Sequence, residues 1–122
     1  MTANDRELLE LAAKAAGYKY SDFIFEGESG LVLIDTPCYE QWNPLANRGD
    51  ALRLVIRCRF TIKIFPAKVY DEGIDCPGFV EVWADDDSHD PIVTEYVTDG
   101  NYDAATRRAI VRAAAEIGRN MK

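Results

Sequence analysis

The chain contains only one histidine, His89, and no pair of cysteines at the C-x-x-C spacing. Cys38, Cys58 and Cys76 are odd in number and far apart, so neither a zinc site nor a disulfide framework is predicted. No nucleophile motif accompanies His89, and the glycine-rich phosphate loops are missing. The residues therefore indicate no catalytic site, no metal and no cofactor, and they favour a non-enzymatic protein without excluding an enzyme.

Long apolar runs are also absent. No run approaches the roughly 18 apolar residues that a membrane span needs. The polar start, residues 1–6, lacks the basic and then apolar pattern of a signal peptide. We therefore expect a cytoplasmic protein without a membrane partner. A length of 122 residues predicts a single domain, 1–122, with its own core.

Basic residues are missing from one long stretch of the chain. Residues 69–106 hold eleven acids and no lysine or arginine, whereas the rest holds ten acids and fourteen bases. These parts carry −11 and +4, which sum to the net charge of −7. Residues 48–68 alone carry six bases and one acid. The pattern predicts an electrically polarised domain, which affects partners and association rates more than the fold.

Apolar residues repeat at helical spacing near both ends of the chain. One predicted helix runs from Asn4 to Gly17, and its small alanines suggest close approach to a sheet. A second begins near Asn101 and is expected to end at Gly118. Between residues 18 and 40 the signals are weaker, with short strands suggested at 23–25 and 31–34.

Residues 52–64 support two interpretations. Their strict apolar–polar alternation is typical of a strand, but 13 residues is long for one. Asn47 offers a helix cap and Asp50 a first-turn acid, which favours a helix over 48–58 and a strand over 60–65. One long strand is the alternative. It would align Arg53, Arg57, Arg59 and Lys63 on one sheet face as a nucleic-acid platform. The helix–strand division scatters these bases, so direct nucleic-acid binding is not expected.

Two further strands, 79–84 and 92–97, form a predicted hairpin with an acidic loop. The element order is then helix, weak strand, short helix, three strands and helix. An antiparallel sheet needs cover for its apolar faces, and helices are the available cover. We therefore predict an α+β fold in which helices cover a small antiparallel sheet in an α/β/α sandwich-like arrangement.

Two stretches carry a family likeness. The sequence W-N-P-L at 42–45, followed by G-D-A-L-R-L at 49–54, resembles the hallmark of the phage ABA sandwich domain family. The sequence A-T-R-R-A-I-V-R-A-A-A at 105–115 is similar to the closing helix of the same proteins. The resemblance implies a helix–sheet–helix sandwich encoded by a phage or prophage. It implies no activity and no catalytic residues, because a shared fold does not transfer function.

The acidic hairpin is the main candidate site. Asp85, Asp87 and His89 alternate like calcium ligands, but Asp90 and Tyr96 occupy the positions where the EF-hand pattern needs glycine and glutamate. We therefore interpret the loop as a solvated hairpin tip. The candidate partner-binding residues are Glu81, Asp85, Asp86, Asp87, Asp90, Glu95, Tyr39 and Trp42.

These residues suggest a phage accessory protein that binds a host or phage protein with a basic surface. The sharper version is an inhibitor of a host defence or nucleic-acid-handling system. Trp42 has a second interpretation, as a packing residue alongside Pro44 and Leu45. The alternative function is a small-ligand or nucleotide-binding protein, with a pocket between the sheet and the Trp42 loop.

Overall fold

In a computed structural model of the chain, the structure describes residues 3–25, 28–33, 41–69, 75–85 and 89–121. The helices are α1 (Ala3–Ala16), α2 (Arg48–Cys58) and α3 (Tyr102–Arg119). The strands are β1 (Tyr20–Phe25), β2 (Glu28–Leu33), β3 (Gln41–Trp42), β4 (Thr61–Phe65), β5 (Lys68–Val69), β6 (Asp75–Cys76), β7 (Phe79–Trp83) and β8 (Val93–Tyr96). The α+β prediction is confirmed. Within these ranges, no helix has both the length and the apolar character to cross a bilayer.

The predicted hairpin is present as β7 and β8, and β4 pairs with β7 to give an antiparallel sheet of order β4-β7-β8. A second antiparallel sheet has the order β1-β2-β3, and β5 pairs with β6. Leu31 of β2 and Trp42 of β3 lie in the same cluster of buried residues as Leu9, Leu54 and Val80. The second sheet and the helices therefore share one core with the first sheet.

The division of residues 52–64 into helix and strand is confirmed, and the single long strand is wrong. The side-chain oxygen of Asn47 accepts a hydrogen bond from the backbone N–H of Asp50 at 2.9 Å, which caps α2. Arg59 ends the helix in the left-handed conformation, with a φ of 57°. Its backbone N–H bonds the Val55 carbonyl, so the chain can turn into β4.

Helix α1 packs on α3, and the two run in the same direction. Asp5 pairs with Arg108 at 3.5 Å near the start of α1, and Lys14 donates to the Met121 carbonyl at 2.9 Å near its end. The small residues predicted to approach a sheet are Ala12, which is buried, and Ala15, which is partly buried; Ala13 and Ala16 are buried as well. The surface that α1 approaches is a helix, because α3 presents small residues of its own, including Ala113 and Ala114.

Gly118 does not end α3, as the sequence suggested, but lies buried inside the helix. A Cβ atom at this position would stand 2.0 Å from the backbone oxygen of Leu11 in α1. The glycine therefore serves the close approach of two helices rather than a helix end. By contrast, Gly17 has a φ of 77° and ends α1 as predicted.

Helix α3 packs against β7 and β8, so the described layers run sheet, α3, α1. Val80, Val82 and Val93 fill the space under α3 and are buried. The opposite face of the sheet carries no helix among the residues described. The candidate site lies on that uncovered face.

Candidate protein-binding surfaces

The uncovered face of the β4-β7-β8 sheet is built by strand alternation. Successive side chains of a strand point to opposite faces, so the valines that face α3 alternate with outward residues. We call the outward set the sheet face. Its members are Thr61, Lys63, Phe65, Phe79, Glu81, Trp83, Thr94 and Tyr96.

Three aromatic rings cross one end of the sheet face, one from each strand. The register places Phe65 opposite Phe79, and Phe79 opposite Tyr96. The rings of Phe65 and Phe79 are stacked, with centroids 4.5 Å apart, and those of Phe79 and Tyr96 are tilted at 6.1 Å. Tyr96 remains 63% exposed. The result is a continuous aromatic row that none of the described helices covers.

The other end of the sheet face combines an aromatic ring with two charges. The Lys63 ammonium lies 4.6 Å from the centroid of the Trp83 ring, and the indole N–H of Trp83 donates to the Glu81 carboxylate at 3.2 Å. Lys63 and Glu81 are also directly opposite each other in the register. These contacts orient the Trp83 ring. Lys63 is the only base among the eight members of the sheet face.

The predicted acidic residues do not form one surface. Glu81 lies on the sheet face, but Glu95 points to the other side of the sheet, where it pairs with Arg112 and with Arg108 of α3. The physical reason is register: Glu95 is opposite Val80, which faces the helix. Glu95 and Glu81 therefore lie on opposite faces of the sheet, and partner binding by Glu95 stays a prediction.

Asp85 and Asp90 are exposed, one on each side of the hairpin loop, and so is His89. Asp86, Asp87 and Tyr39 lie outside the described residues. In the part of the chain that the structure describes, no group of three or more His, Cys, Asp or Glu side chains is arranged to hold a metal ion. Among the predicted acids, Glu81, Asp85 and Asp90 therefore remain available to a partner.

Trp42 is a core residue, which agrees with its interpretation as a packing residue. Its side chain is 1% exposed and meets the Tyr18 ring edge-on, with centroids 5.8 Å apart. It therefore offers no side-chain surface to a partner, which corrects its place among the binding candidates. The indole Nε1 is buried and has no hydrogen-bond partner in the described structure.

The residues around Trp42 hold the loop to two helices. The backbone N–H of Asn43 donates to the Asp50 carboxylate of α2 at 3.0 Å, and the Asp50 side chain is mostly buried. Arg107 of α3 donates its Nε–H to the Leu45 carbonyl at 2.9 Å. The W-N-P-L and G-D-A-L-R-L sequences are thus explained by packing and hydrogen bonding within the fold.

Sequence reasoning missed an apolar groove between α2, β4 and α3. It has a volume of about 290 Å³, and its apolar lining comes from Ala51, Leu52, Val55, Ile62 and Ile110. Arg48, Asp103 and Arg107 stand among its lining residues, and Arg48 pairs with Asp103. A second cleft of about the same volume is lined by Glu95, Asp99 and Arg108. Trp42 lines neither cleft, so neither provides the ligand pocket expected beside it.

The arginines of α2 lie on a helix and do not line one sheet face. Arg57 donates two hydrogen bonds to the Ala16 carbonyl, at 2.9 and 3.1 Å, and its guanidinium lies 5.2 Å from the Tyr18 ring centroid. Arg53 pairs with Asp50 at 3.6 Å. The Arg57 contacts hold α2 to the end of α1, whereas the Arg53 pair lies within α2, which agrees with the expectation that the bases scatter.

Cys58 closes α2 and is half-buried. Burial raises the pKa of its thiol above the ordinary value, because the thiolate loses hydration, and the nearby Arg57 charge offsets part of the effect. A raised pKa keeps the thiol protonated at neutral pH, which disfavours nucleophilic or metal-binding chemistry at this position.

The fold and these surfaces define a small α+β domain with one uncovered aromatic sheet face. Comparisons with protein-family models, with curated proteins and with solved structures found no match for the chain. The resemblance to the phage ABA sandwich domain family therefore stays a prediction.

Proposed function

We propose that this chain is a non-enzymatic accessory protein that binds another protein through its sheet face. The observation that carries the proposal is the aromatic row of Phe65, Phe79 and Tyr96 on a face without a helix. Contiguous exposed apolar surface on a small domain marks an interaction site, and Tyr, Trp and Phe are enriched at the centres of protein interfaces. Charged side chains are sparse in the row itself, as they are in such centres.

Charge indicates the kind of partner. The β7–β8 hairpin belongs to the segment without lysine or arginine. Its acid Glu81 lies on the sheet face between Phe79 and Trp83, and Asp85 and Asp90 lie in the loop beyond the Trp83 end. A partner with a basic surface would meet the acids at the rim while apolar groups cover the rings. Rim charges mainly accelerate association, whereas the buried rings set the lifetime of the complex.

The resemblance adds a context to this proposal. A phage or prophage protein of this kind would act on a host or phage protein. A host defence or nucleic-acid-handling complex offers the basic surface that the acidic hairpin suits. In that case the chain is an inhibitor that occupies a groove evolved for phosphates.

The test is a comparison of two double variants. Capture of host proteins on immobilised wild-type chain is followed by purification of the bound partner and measurement of its Kd. The double variant Phe65→Ala/Tyr96→Ala should weaken binding by at least tenfold, because aromatic anchors contribute 1–2 kcal/mol or more each, on the order of tenfold per 1.4 kcal/mol. Asp85→Lys/Asp90→Lys should mainly slow association and reduce its salt dependence.

The matched control is Leu52→Ala/Ile56→Ala, which removes two exposed apolar side chains from α2 instead of the sheet face. This control should leave the Kd within about twofold. Loss of binding in the control with none in Phe65→Ala/Tyr96→Ala would place the partner on a different surface and overturn the proposal.

A further inference from the structure

Helix α2 exposes two large apolar side chains next to the groove that it forms with β4 and α3. Leu52 and Ile56 are 58% and 66% exposed and, being four residues apart, lie on the same side of the helix. The buried face of α2 is formed by Asp50, Ala51 and Leu54 instead. Most of the Leu52 and Ile56 surface therefore contributes little to the core.

The apolar surface continues from the helix onto the sheet edge. Leu52 and Val55 line the groove together with Ile62 of β4 and Ile110 of α3. Ile64 follows Ile62 on the same side of β4 and is 54% exposed. Among the strands that the structure describes, β4 lies at the edge of its sheet and pairs with β7 alone. We call this combination of α2, β4 and α3 surface the α2 groove.

The charge around the α2 groove is opposite in sign to that of the hairpin. Arg48 lies one turn before Leu52, Arg53 lies one turn before Ile56, and Arg59 is the first residue after the end of α2. All three are exposed, and Arg59 forms no ion pair with the residues that the structure describes. Among the residues that the structure describes, Asp103 pairs with Arg48 and the mostly buried Asp50 pairs with Arg53. The apolar surface is therefore flanked by positive charge.

We propose that the α2 groove binds an acidic amphipathic helix of a protein partner. Apolar anchors at a spacing of three or four residues would enter between Leu52, Ile62 and Ile110, as in other helix-in-groove complexes. Glutamate or aspartate beside those anchors would pair with Arg48, Arg53 and Arg59. Nucleic acid could satisfy the arginines, but it would leave Leu52, Ile56 and Ile64 uncovered. The groove is separate from the sheet face, and its occupancy does not depend on the proposed function.

A peptide selection tests the chemistry directly. Random 16-residue peptides displayed on a carrier are selected on the full chain and counter-selected on the double variant Leu52→Ser/Ile56→Ser. The recovered peptides should carry a net negative charge and apolar residues at spacings of three and four. As labelled synthetic peptides, they should bind the wild-type chain at least tenfold more tightly than the variant. Binding should also weaken with added salt.

Two control variants separate the contributions. Arg53→Glu/Arg59→Glu keeps the apolar groove and should also weaken these peptides at least tenfold. Phe65→Ala/Tyr96→Ala changes the sheet face and should leave their affinity within about twofold. Because Leu52 and Ile56 are exposed, the serine variant should melt within a few degrees of the wild type, which shows that lost binding is not unfolding.

Four outcomes of the selection, binding and sedimentation measurements would overturn the proposal. They are recovery of basic peptides, recovery of no peptide, equal binding to the serine variant, and a dimer in sedimentation that Ile56→Ser dissociates. The last would assign the groove to a second copy of the chain. Oligothymidylate binding that Arg53→Glu/Arg59→Glu abolishes and Leu52→Ser/Ile56→Ser preserves would assign it to nucleic acid.

Discussion

The contact between α1 and α3 and the sheet face use opposite kinds of side chain. The helices meet through alanines and a glycine, so close that Gly118 has no space for a Cβ atom beside the Leu11 backbone. The sheet face instead displays Phe65, Phe79, Trp83 and Tyr96, and none of α1, α2 and α3 covers it. Small residues allow the backbones of the two helices to approach closely. The large rings lie on a sheet face that the described helices leave uncovered. Stability and binding should therefore respond to different substitutions.

The two tryptophans provide the sharpest test of this difference. Trp42→Ala empties a fully buried site and should cost about 3–5 kcal/mol of unfolding free energy. Trp83→Ala removes a half-exposed ring that contacts Lys63 and should cost about 1 kcal/mol. Urea unfolding of both variants measures the difference. Similar losses in the two would mean that the sheet face belongs to the core.

Gly118→Ala tests the tight helix contact. Alanine favours an isolated helix by about 1 kcal/mol over glycine. Here its Cβ would meet the Leu11 backbone at 2.0 Å, so the helices must separate, and we expect a net loss of about 3 kcal/mol. The control is Gly100→Ala, whose Cβ meets nothing within 4 Å but whose φ is 71°. It should lose about 1 kcal/mol through backbone strain. A stabilised Gly118→Ala variant would show that the helices are loosely packed.

The cap of α2 and the tight contact at Gly118 also differ in how well the sequence predicts them. The bounds of α2 were predictable because Asn47 and Asp50 form a local cap. Gly118 was not, since a glycine near a helix end is usually a terminator and its partner in α1 lies more than 100 residues away. A helix cap depends on neighbouring residues and can be predicted from them. A close contact between two helices also depends on the partner helix, which the local sequence pattern does not identify.

The candidate surfaces show the same limit. Alternation in each strand predicts that Phe79 and Glu81 share a face, but only the register aligns Phe65, Phe79 and Tyr96. Register also sends Glu95 to the arginines of α3, although it is close in sequence to the acidic loop. In α2, Leu52 and Ile56 fit a core pattern and are nevertheless exposed, because the core accepts the neighbouring Ala51 and Leu54.

The turn between α2 and β4 joins the helices to the sheet. Replacing Arg59 tests the backbone strain in this turn. The residue adopts a φ of 57°, which costs a residue with a Cβ atom about 1 kcal/mol or more. Arg59→Gly should therefore stabilise the chain by about 0.5–1 kcal/mol, less than the strain because glycine loses more freedom on folding. Thermal melts at several pH values measure the gain. A destabilised variant would show that the arginine side chain contributes more to the turn than the strain costs.

Cys58 lies at the same junction. Replacing it should have the smallest effect on the unfolding free energy, and only in alkaline solution. Burial raises the thiol pKa in the folded chain, so the unfolded chain loses this proton first as the pH passes its ordinary value of 9.0. The thiol's contribution to stability is thus fully present below pH 9.0 and is lost as the pH rises through the folded pKa. Between pH 7 and 11 under reducing conditions, the unfolding free energy should fall more steeply for the wild type than for Cys58→Ala. All other side chains are common to both chains, so their contributions cancel in the comparison. Parallel curves would mean that the Cys58 thiol is as well hydrated in the folded chain as in the unfolded chain. The buried part of α2 would then end before Cys58.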